Sequence, residues 1–275
     1  MDYLEYYQLK EQPFSIAVDN RFYYNSSQHS EALIRLRYAA DTQKGLALLV
    51  GDVGAGKTTL ARRLLDELDE RFFHAALLVV IHAGVTPEWL VRKITMQLGV
   101  EKPSDDKTEL LSQLYRRLVE LHDQNKKAVV LIDEAQMLGT KGLMEEIRGI
   151  LNIELDGQKL LTFVLFGLQE LDNNLSLDLP LKQRVAIRYQ LTSFTLATTE
   201  DYVRYRLQIA GATRDLFSKS ALKAVHDYSG GIPRLINTIC DNALLEGFLR
   251  KKEQLEPELI REVAADLKLL EPAGA

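Results

Sequence analysis

The segment that most constrains this chain is the run Gly51-Asp52-Val53-Gly54-Ala55-Gly56-Lys57-Thr58-Thr59. It fits the pattern G-x-x-x-x-G-K-T, which requires a strand, a glycine-rich turn and a helix in that order. An apolar run at 46–50 precedes it, and a helical pattern at 60–68 follows it. We therefore expect a phosphate-binding loop at the carboxyl end of a buried strand.

The loop residues have separate expected roles. The glycines let successive backbone N–H groups point at phosphate oxygens, and the helix that follows adds its positive end. Lys57 is expected to reach the β- and γ-phosphates of ATP, and the Thr58 hydroxyl to bind Mg²⁺. A plain glycine-rich turn is the alternative, but it does not explain a lysine where the helix dipole opposes positive charge. The expected nucleotide-binding residues are Gly51, Val53, Gly54, Ala55, Gly56, Lys57, Thr58 and Thr59.

A second motif, which is acidic, favours hydrolysis of the bound nucleotide. The apolar run 128–132 is typical of a strand buried on both faces of a parallel sheet, and it is followed by Asp133-Glu134-Ala135-Gln136. Asp133 is expected to hold Mg²⁺ and Glu134 to polarise the attacking water. An acidic turn after a strand is the alternative interpretation, and the upstream phosphate loop favours the functional one.

Composition excludes several other classes of protein. The chain has 275 residues, 46% of them hydrophobic, and a net charge of −5, which suits a globular protein without a general electrostatic grip on nucleic acid. Cys240 is its one cysteine, so no disulfide framework is expected. The histidines lack metal-ligand spacing, and no apolar run is long enough to span a membrane. The absence of a disulfide framework leads us to expect a cytoplasmic protein. The two motifs above lead us to expect an enzyme with ATP and Mg²⁺ as its cofactors.

The order of predicted elements indicates two domains. Strands are predicted near 45–50, 76–82, 127–132, 160–166 and 187–191. Helices are predicted near 27–40, 57–69, 86–98, 106–124, 140–152 and 168–174. This alternation predicts a parallel sheet with helices on both faces. After about residue 195 only helices are predicted, with the tail at 271–275 frayed. The expected domains are a nucleotide-binding core at 1–195, including an irregular aromatic segment at 1–25, and a helical domain at 196–275.

Three arginines are candidate phosphate ligands. Arg234 follows Pro233 at a helix start, where the dipole again opposes it, so an anionic partner is expected. Arg184 and Arg188 precede the helical domain, and either could stabilise transition-state charge on a neighbouring subunit's nucleotide. Solvated arginines or a surface ion pair are the alternatives. We list Glu134, Arg184 and Arg234 as the catalytic candidates.

Four further residues have two readings each. Asn152 and Gln169 are polar candidates for orienting the attacking water, although Asn152 could equally cap a helix and Gln169 could equally be exposed. Phe14 and Phe22 could line an adenine pocket, but ordinary core packing is favoured.

Motifs along nearly the whole chain resemble one family. They begin with Gln12-Pro13-Phe14 and Phe22-Tyr23-Tyr24, continue through the two motifs above, and include Gln158-Lys159-Leu160-Leu161 and Gln183-Arg184-Val185. The closing run is Gly230-Gly231-Ile232-Pro233-Arg234-Leu235-Ile236-Asn237. The set resembles the AAA+ ATPases of the general secretion pathway protein A and MSHA-pilus biogenesis group. The front segment and the closing run are narrower signals than the phosphate loop, which many NTPases share.

The resemblance implies a P-loop AAA+ core of α/β class, followed by a small helical lid. It implies that Arg234 is the sensor 2 arginine and that Arg184 is the better candidate for an arginine finger between subunits. It also implies a homo-oligomer that drives or switches assembly of an envelope complex for secretion, pilus biogenesis or polysaccharide export. A separate envelope or inner-membrane partner would then hold the enzyme at the membrane periphery.

Two departures from the family pattern qualify this expectation. The family reads Gly-Gln-Pro-Glu-Leu after the fourth strand, whereas this chain has Gly167-Leu168-Gln169-Glu170-Leu171, so the polar sensor expected at 168 is replaced by leucine. Secretion-type members also continue into a membrane span and a periplasmic peptidoglycan-binding domain. This sequence is either a piece of such a protein or a standalone ATPase, and its small-residue tail at 272–275 favours the second.

Two other functions stay open. A DNA-targeting or transposition-type ATPase would use the same core, and the arginine clusters 35–37 and 62–63 allow it, although the acidic net charge opposes it. A scaffold that binds ATP and barely hydrolyses it is allowed by Leu168 and opposed by Glu134. Stimulation of hydrolysis by DNA would identify the first, and ATP binding without turnover the second.

Overall fold

The computed structural model describes residues 2–15 and 19–269. Contacts between residues divide the chain into two compact units. The larger unit contains Ser27–Val53 and Lys57–Leu191, and the smaller one contains Met1–Ser26, Gly54–Gly56 and Thr192–Ala275. The expected fraying at 271–275 lies outside the described residues.

Seven strands belong to the larger unit. In chain order they are β1 (Leu46–Val50), β2 (Phe73–Val79), β3 (Lys127–Asp133), β4 (Glu154–Leu155), β5 (Gln158–Lys159), β6 (Leu161–Gly167) and β7 (Val185–Gln190). Five of them form one parallel sheet in the order β2-β3-β6-β1-β7, while β4 and β5 form a short antiparallel hairpin. The predicted parallel sheet is thereby confirmed.

The central strands are apolar throughout because both of their faces are covered. Every residue of β1 and β6 is buried, and β3 is buried from its second residue onward. The edge strand β7 instead alternates between half-buried and exposed positions. Continuous apolar runs at the centre and alternation at the edge are what a sheet sandwiched between helices requires.

Twelve α-helices accompany the strands in the described part of the chain. They are α1 (Tyr3–Tyr7), α2 (Ser27–Asp41), α3 (Lys57–Glu67), α4 (Pro87–Gln97), α5 (Lys107–Asp123), α6 (Lys141–Ile150), α7 (Glu170–Leu175), α8 (Leu179–Lys182), α9 (Leu196–Ile209), α10 (Lys219–Ser229), α11 (Pro233–Leu249) and α12 (Pro257–Asp266). Two 3₁₀ turns lie at Asn20–Phe22 and Ala135–Met137. Several helices begin directly after a capping side chain, as Thr86, Asp106, Thr140 and Ser218 each accept a hydrogen bond from a backbone N–H of the first turn.

The strand register gathers three strand ends at one edge of the sheet. Val50 at the end of β1 lies beside Gly167 at the end of β6, and Ile132 of β3 lies beside Leu165 of β6. The glycine-rich loop follows β1, Glu134 follows Asp133 at the end of β3, and a turn follows Gly167 at the end of β6. In open parallel sheets the carboxyl edge is where ligands bind.

The smaller unit combines four C-terminal helices, α9 to α12, with the N-terminal segment. Tyr7 is 2% exposed, and its hydroxyl donates to the Lys252 carbonyl at 3.0 Å. Phe14 is buried and meets Phe217 edge to face, with 6.3 Å between ring centroids. Buried Arg206 donates to the carbonyls of Pro13 at 2.6 Å and Ser15 at 3.1 Å. These contacts satisfy a buried cation with backbone oxygens and tie the segment to the helices.

The N-terminal segment therefore differs from the expectation in two respects. We expected residues 1–25 to be irregular and to belong with the core, but they contain α1 and a 3₁₀ turn and group with the C-terminal helices. The partners of Tyr7 and Phe14 lie some two hundred residues away in the sequence, and local patterns do not reveal such pairings. The change from the sheet-bearing part of the chain to its last helices comes at Leu191–Thr192, near the expected 195.

Candidate active site

The glycine-rich loop is shaped by its glycines and by the lysine that follows them. Gly54 and Gly56 have φ angles of 81° and 99°, which side chains rarely adopt. Lys57 is 6% exposed, and its ammonium donates to the carbonyls of Gly51 at 2.8 Å and Asp52 at 2.9 Å. The loop thus curls around the lysine at the start of α3, where backbone N–H groups are free of intrahelical partners.

Two oxygen-bearing side chains meet beside this loop. The Thr58 hydroxyl donates to the Asp133 carboxylate, with 2.7 Å between Oγ1 and Oδ2. Asp133 is 1% exposed, and its other oxygen accepts from the Glu134 backbone N–H at 3.0 Å. A hydroxyl and a carboxylate are ligands that Mg²⁺ prefers when it also binds substrate phosphates. No group of three or more acidic, histidine or cysteine side chains that could hold a metal occurs among the described residues, and Mg²⁺ bound with a nucleotide does not need one.

Glu134 lies directly after β3 in an unusual backbone conformation. Its φ of 56° and ψ of 35° fall in the left-handed region, which is uncommon for a residue with a side chain. Its carboxylate is half-buried and accepts a hydrogen bond from the Gln136 amide, with 2.6 Å between Nε2 and Oε2. A carboxylate beside two oxygen-bearing side chains that suit Mg²⁺ can accept a proton from a water molecule.

Sequence analysis missed Gln136. It occurs in the run that carries the resemblance, but no role was expected for it. In the structure its amide contacts Glu134 on one side and the Leu168 backbone N–H on the other, at 3.1 Å. The one available signal was its position two residues after Glu134 in a motif whose acidic members had already been singled out.

The two candidate fingers differ in their surroundings. Arg188 is exposed and forms an ion pair with Asp172 of the same chain. Arg184 is partly buried, and its guanidinium meets the Arg148 carbonyl at 3.5 Å. Among the described residues no carboxylate lies within ion-pair distance of Arg184. The Lys159 ammonium lowers the pKa of the Glu154 carboxyl by a hydrogen bond, and the charge of Arg184 adds to this effect without forming an ion pair.

Arg234 lies at the start of α11 in the smaller unit, which also contains Gly54–Gly56. Its backbone N–H donates to the Gly54 carbonyl at 3.3 Å. A Cβ placed on Gly54 would lie 2.7 Å from the Arg234 Cβ, so the glycine allows this approach. The Arg234 side chain is exposed and pairs with no carboxylate of the described residues.

The structure separates the two polar candidates for water orientation. Asn152 is exposed after α6, where the chain leads through the hairpin into the start of β6. Because β6 spans Leu161–Gly167, this end of the strand is about 20 Å from its carboxyl end. The structure therefore disfavours the first reading of Asn152, in which it orients the attacking water. Gln169 does lie in the turn after β6, but its side chain is exposed and forms no hydrogen bond with another described residue. For Phe14 and Phe22, burial at 1% and 8% exposure agrees with the favoured reading of core packing.

Comparison with known families agrees with this geometry. A family model described as AAA domain matches residues 40–175, which include the loop, Asp133, Glu134 and the turn after β6. Residues 40–175 belong to the AAA domain family. For this AAA+ chain, the expected parallel sheet flanked by helices and followed by C-terminal helices is confirmed.

One curated relative of this AAA+ protein is general secretion pathway protein A of Aeromonas hydrophila. The two are 38% identical over 256 residues, which is 92% of this chain and 46% of the relative. The expected resemblance to that protein is confirmed. The chain spans less than half of the relative's length, so what the whole relative does is not thereby carried over.

Solved structures share the fold at low identity. Cdc6p from Pyrobaculum aerophilum is 20% identical with a TM-score of 0.70, and the match covers 94% of this chain and 70% of that one. The ORC2 protein of Aeropyrum pernix, in its ADPNP-ADP complexes, is 18% identical with a TM-score of 0.68, covering 94% and 72%. At such identities the likeness establishes the AAA+ fold alone. Within the described ranges, none of this AAA+ protein's helices is long and apolar enough to cross a membrane.

Proposed function

We propose that this chain binds Mg-ATP and hydrolyses it to ADP and phosphate. The observation that carries the proposal is the convergence of Thr58, Asp133 and Glu134 at one edge of the sheet, beside the loop that encloses Lys57. Neither a plain glycine-rich turn nor an acidic turn accounts for both halves of this arrangement.

The proposed roles follow from the chemistry of each group. Backbone N–H groups of the loop and the Lys57 ammonium bind the phosphates, and Thr58 and Asp133 hold Mg²⁺. Bound Mg²⁺ would neutralise charge on the phosphate oxygens. Glu134 accepts a proton as the water oxygen attacks the γ-phosphorus, and the bond from the γ-phosphorus to the bridging oxygen breaks with its electron pair leaving on ADP. The bound proton then returns to solvent.

Two arginines are proposed to complete the site. Arg234 binds the phosphates from the start of α11. Its backbone N–H already donates to the Gly54 carbonyl of the loop. Arg184 acts as the finger on the nucleotide of a second copy of this chain, which fits a partly buried guanidinium that forms no ion pair among the described residues. The enzyme is accordingly proposed to work as a homo-oligomer.

We further propose that hydrolysis serves the assembly of an envelope complex through a separate partner protein, with the enzyme in the cytoplasm and held peripherally at the inner membrane. This rests on the 38% identity to a protein named for general secretion. Ion pairing of the arginine clusters favours it over a DNA-targeting role: Arg35 pairs with Glu31 at 2.5 Å and Arg63 with Glu67 at 2.9 Å. A continuous basic stripe, which DNA binding requires, is therefore weakened.

The test is steady-state ATP hydrolysis against protein concentration, with and without duplex DNA. We expect turnover in the wild type, loss of nucleotide binding in Lys57→Ala, and binding without turnover in Glu134→Gln. Lys127→Ala is the matched control because that ammonium also donates to a backbone carbonyl, that of Asp41, at 2.8 Å. Strong stimulation by DNA would favour the DNA-targeting alternative. Tight ATP binding without turnover by the wild type would favour the scaffold, and normal hydrolysis by Glu134→Gln would overturn the role of that carboxylate.

A further inference from the structure

The side-chain amide of Gln136 bridges the ends of two neighbouring strands, β3 and β6, at the carboxyl edge of the sheet. Its Nε2 donates to the Glu134 carboxylate at 2.6 Å, and its Oε1 accepts from the Leu168 backbone N–H at 3.1 Å. A backbone N–H can only donate and a carboxylate can only accept, so these two partners determine which end of the amide faces which. The bridge therefore links the residue after β3 to the turn after β6.

The surroundings of Gln136 hold this amide in place. Its backbone carbonyl accepts from the Asn174 side chain, with 2.7 Å between Nδ2 and the oxygen. At Gly167 a Cβ would lie 3.0 Å from the Gln136 Oε1 and 3.2 Å from its backbone nitrogen, so the glycine leaves the room that the amide occupies. Side chain and backbone of Gln136 are thus both fixed by parts of the chain more than thirty residues away.

Glu134 depends on this bridge for its orientation. Its backbone is set by the left-handed conformation and by the hydrogen bond from its N–H to Asp133. Among the described residues, the Gln136 amide is the one hydrogen-bond partner of its carboxylate. Without the amide, rotation about the side-chain bonds of Glu134 would be limited only by packing. A base that moves by about 1 Å from a reacting water can lose about a hundredfold in rate.

We propose that Gln136 is a positioning residue for ATP hydrolysis, which fixes the Glu134 carboxylate against the turn after β6. This rests on the proposed hydrolysis. The turn is where a polar side chain is expected and Leu168 stands instead. In this chain the backbone N–H of Leu168 takes the place of that side chain. It donates to the Gln136 amide, which in turn donates to the Glu134 carboxylate.

Two variants distinguish positioning of the Glu134 carboxylate from bracing, by which we mean support of the turn after β6 through the Leu168 N–H alone. Gln136→Met keeps the volume and removes both hydrogen bonds. Gln136→Glu keeps an acceptor for the Leu168 N–H but replaces the donor to Glu134 with a second carboxylate. We expect kcat to fall by about tenfold to about a hundredfold in both. KM for ATP should change by less than about threefold, because the hydrogen bonds of Gln136 go to Glu134, Leu168 and Asn174 rather than to the phosphate loop.

The control is Gln113→Met. Gln113 is half-buried on α5, and its amide also bridges two partners, accepting from the Ser104 N–H at 2.8 Å and donating to the Lys102 carbonyl at 3.3 Å. We expect it to hydrolyse ATP as the wild type does. Normal kcat in Gln136→Glu would overturn the proposal, since bracing of the turn alone would then suffice. An equal loss in Gln113→Met would overturn it as well.

Hydrogen exchange of the Leu168 amide tests the bridge without turnover. Exchange should be slow in the wild type and in Gln136→Glu, and fast in Gln136→Met. Fast exchange in the wild type would contradict the bridge. If the wild type binds ATP without hydrolysing it, the proposed function fails and this inference fails with it. If the wild type hydrolyses ATP and both Gln136 variants match it, only the positioning role fails.

Discussion

The Thr58 hydroxyl donates a hydrogen bond to the Asp133 carboxylate, with 2.7 Å between the two oxygens. The residues are 75 positions apart in the sequence, and they meet because β1 and β3 both pair with β6 and end at the same edge of the sheet. One hydrogen bond therefore joins the first helical turn after the loop to the end of the acidic strand. Both oxygens suit Mg²⁺, so the bond indicates where the metal and its phosphates would be held together.

Removing the Thr58 hydroxyl tests this relationship. In Thr58→Val the shape is nearly kept and the oxygen is lost, so we expect kcat to fall by at least about tenfold, with more Mg²⁺ needed for half-maximal rate. Thr58→Ser keeps the hydroxyl and should stay within about threefold of the wild type. The measurement is ATP hydrolysis across a Mg²⁺ titration. Equal Mg²⁺ dependence in the valine and serine variants would refute the role of the hydroxyl.

Arg184 should act in trans. Arg184→Ala is expected to lower the rate per subunit by at least about a hundredfold, whereas Arg188→Ala should have a much smaller effect because Arg188 already pairs with Asp172 of its own chain. The decisive measurement mixes Arg184→Ala with Glu134→Gln, each inactive alone. Activity should return in the mixture, since the arginine of one variant can serve the intact carboxylate of the other. No recovery at any mixing ratio would argue against a shared site.

Much of the fold could be predicted because the determining signals are local. The observed β1, β3 and β6 begin and end within one residue of the predicted ranges, and α11 begins at the predicted Pro233. The predicted strand at 76–82 is displaced, since β2 spans Phe73–Val79. Its apolar run continues into Val80, which is buried and donates to the Asp133 carbonyl beyond the strand's end. Hydrophobicity alone does not mark where a strand stops pairing.

The site was predictable only in part. The two motifs predicted four of its residues, because the spacing within each motif reflects local backbone geometry. These residues are Lys57, Thr58, Asp133 and Glu134. Gln136 could not be assigned, because its role comes from a contact with Leu168, thirty-two positions away. The water-orienting reading of Asn152, one of the two left open, fails for the corresponding reason. Its position in the sequence suggested the loop region, but only the sheet topology shows at which end of β6 the residue lies.

Two neighbouring glycines allow a sharp test of packing in the smaller unit. Gly230 and Gly231 both have positive φ angles, of 57° and 73°. A Cβ at Gly231 would lie 2.1 Å from the Phe194 carbonyl oxygen, whereas a Cβ at Gly230 would meet nothing within 4 Å. We expect Gly231→Ala to lower the free energy of unfolding by about 3 kcal/mol, from strain plus overpacking. Gly230→Ala should lower it by about 1 kcal/mol from backbone strain alone. Urea unfolding of both variants measures these free energies. Equal losses in the two variants would contradict the close approach of Gly231 to the Phe194 carbonyl.

Stability should depend on pH through His74. Burial lowers the pKa of His74 below its ordinary value of 6.5. The charges of Arg117 and Lys126 lower it further, while a hydrogen bond with the Gln97 backbone and the charge of Glu70 oppose them. Well above pH 6.5 the imidazole is neutral in both the folded and the unfolded chain, so it adds no pH dependence there. As the pH falls from 6.5 through the folded-state pKa, the unfolded chain binds the proton first, and the free energy of unfolding falls.

The matched variant is His74→Val, which places a β-branched residue in the edge strand β2 and removes the titrating group. Carboxylates elsewhere titrate alike in both proteins, so the informative quantity is the difference in free energy of unfolding between wild type and variant. We expect this difference to be constant above about pH 7 and to shift against the wild type as the pH falls toward about 5. Urea unfolding at a series of pH values measures it. A difference that stays level across that range would show that His74 is protonated as readily in the folded chain as in the unfolded one.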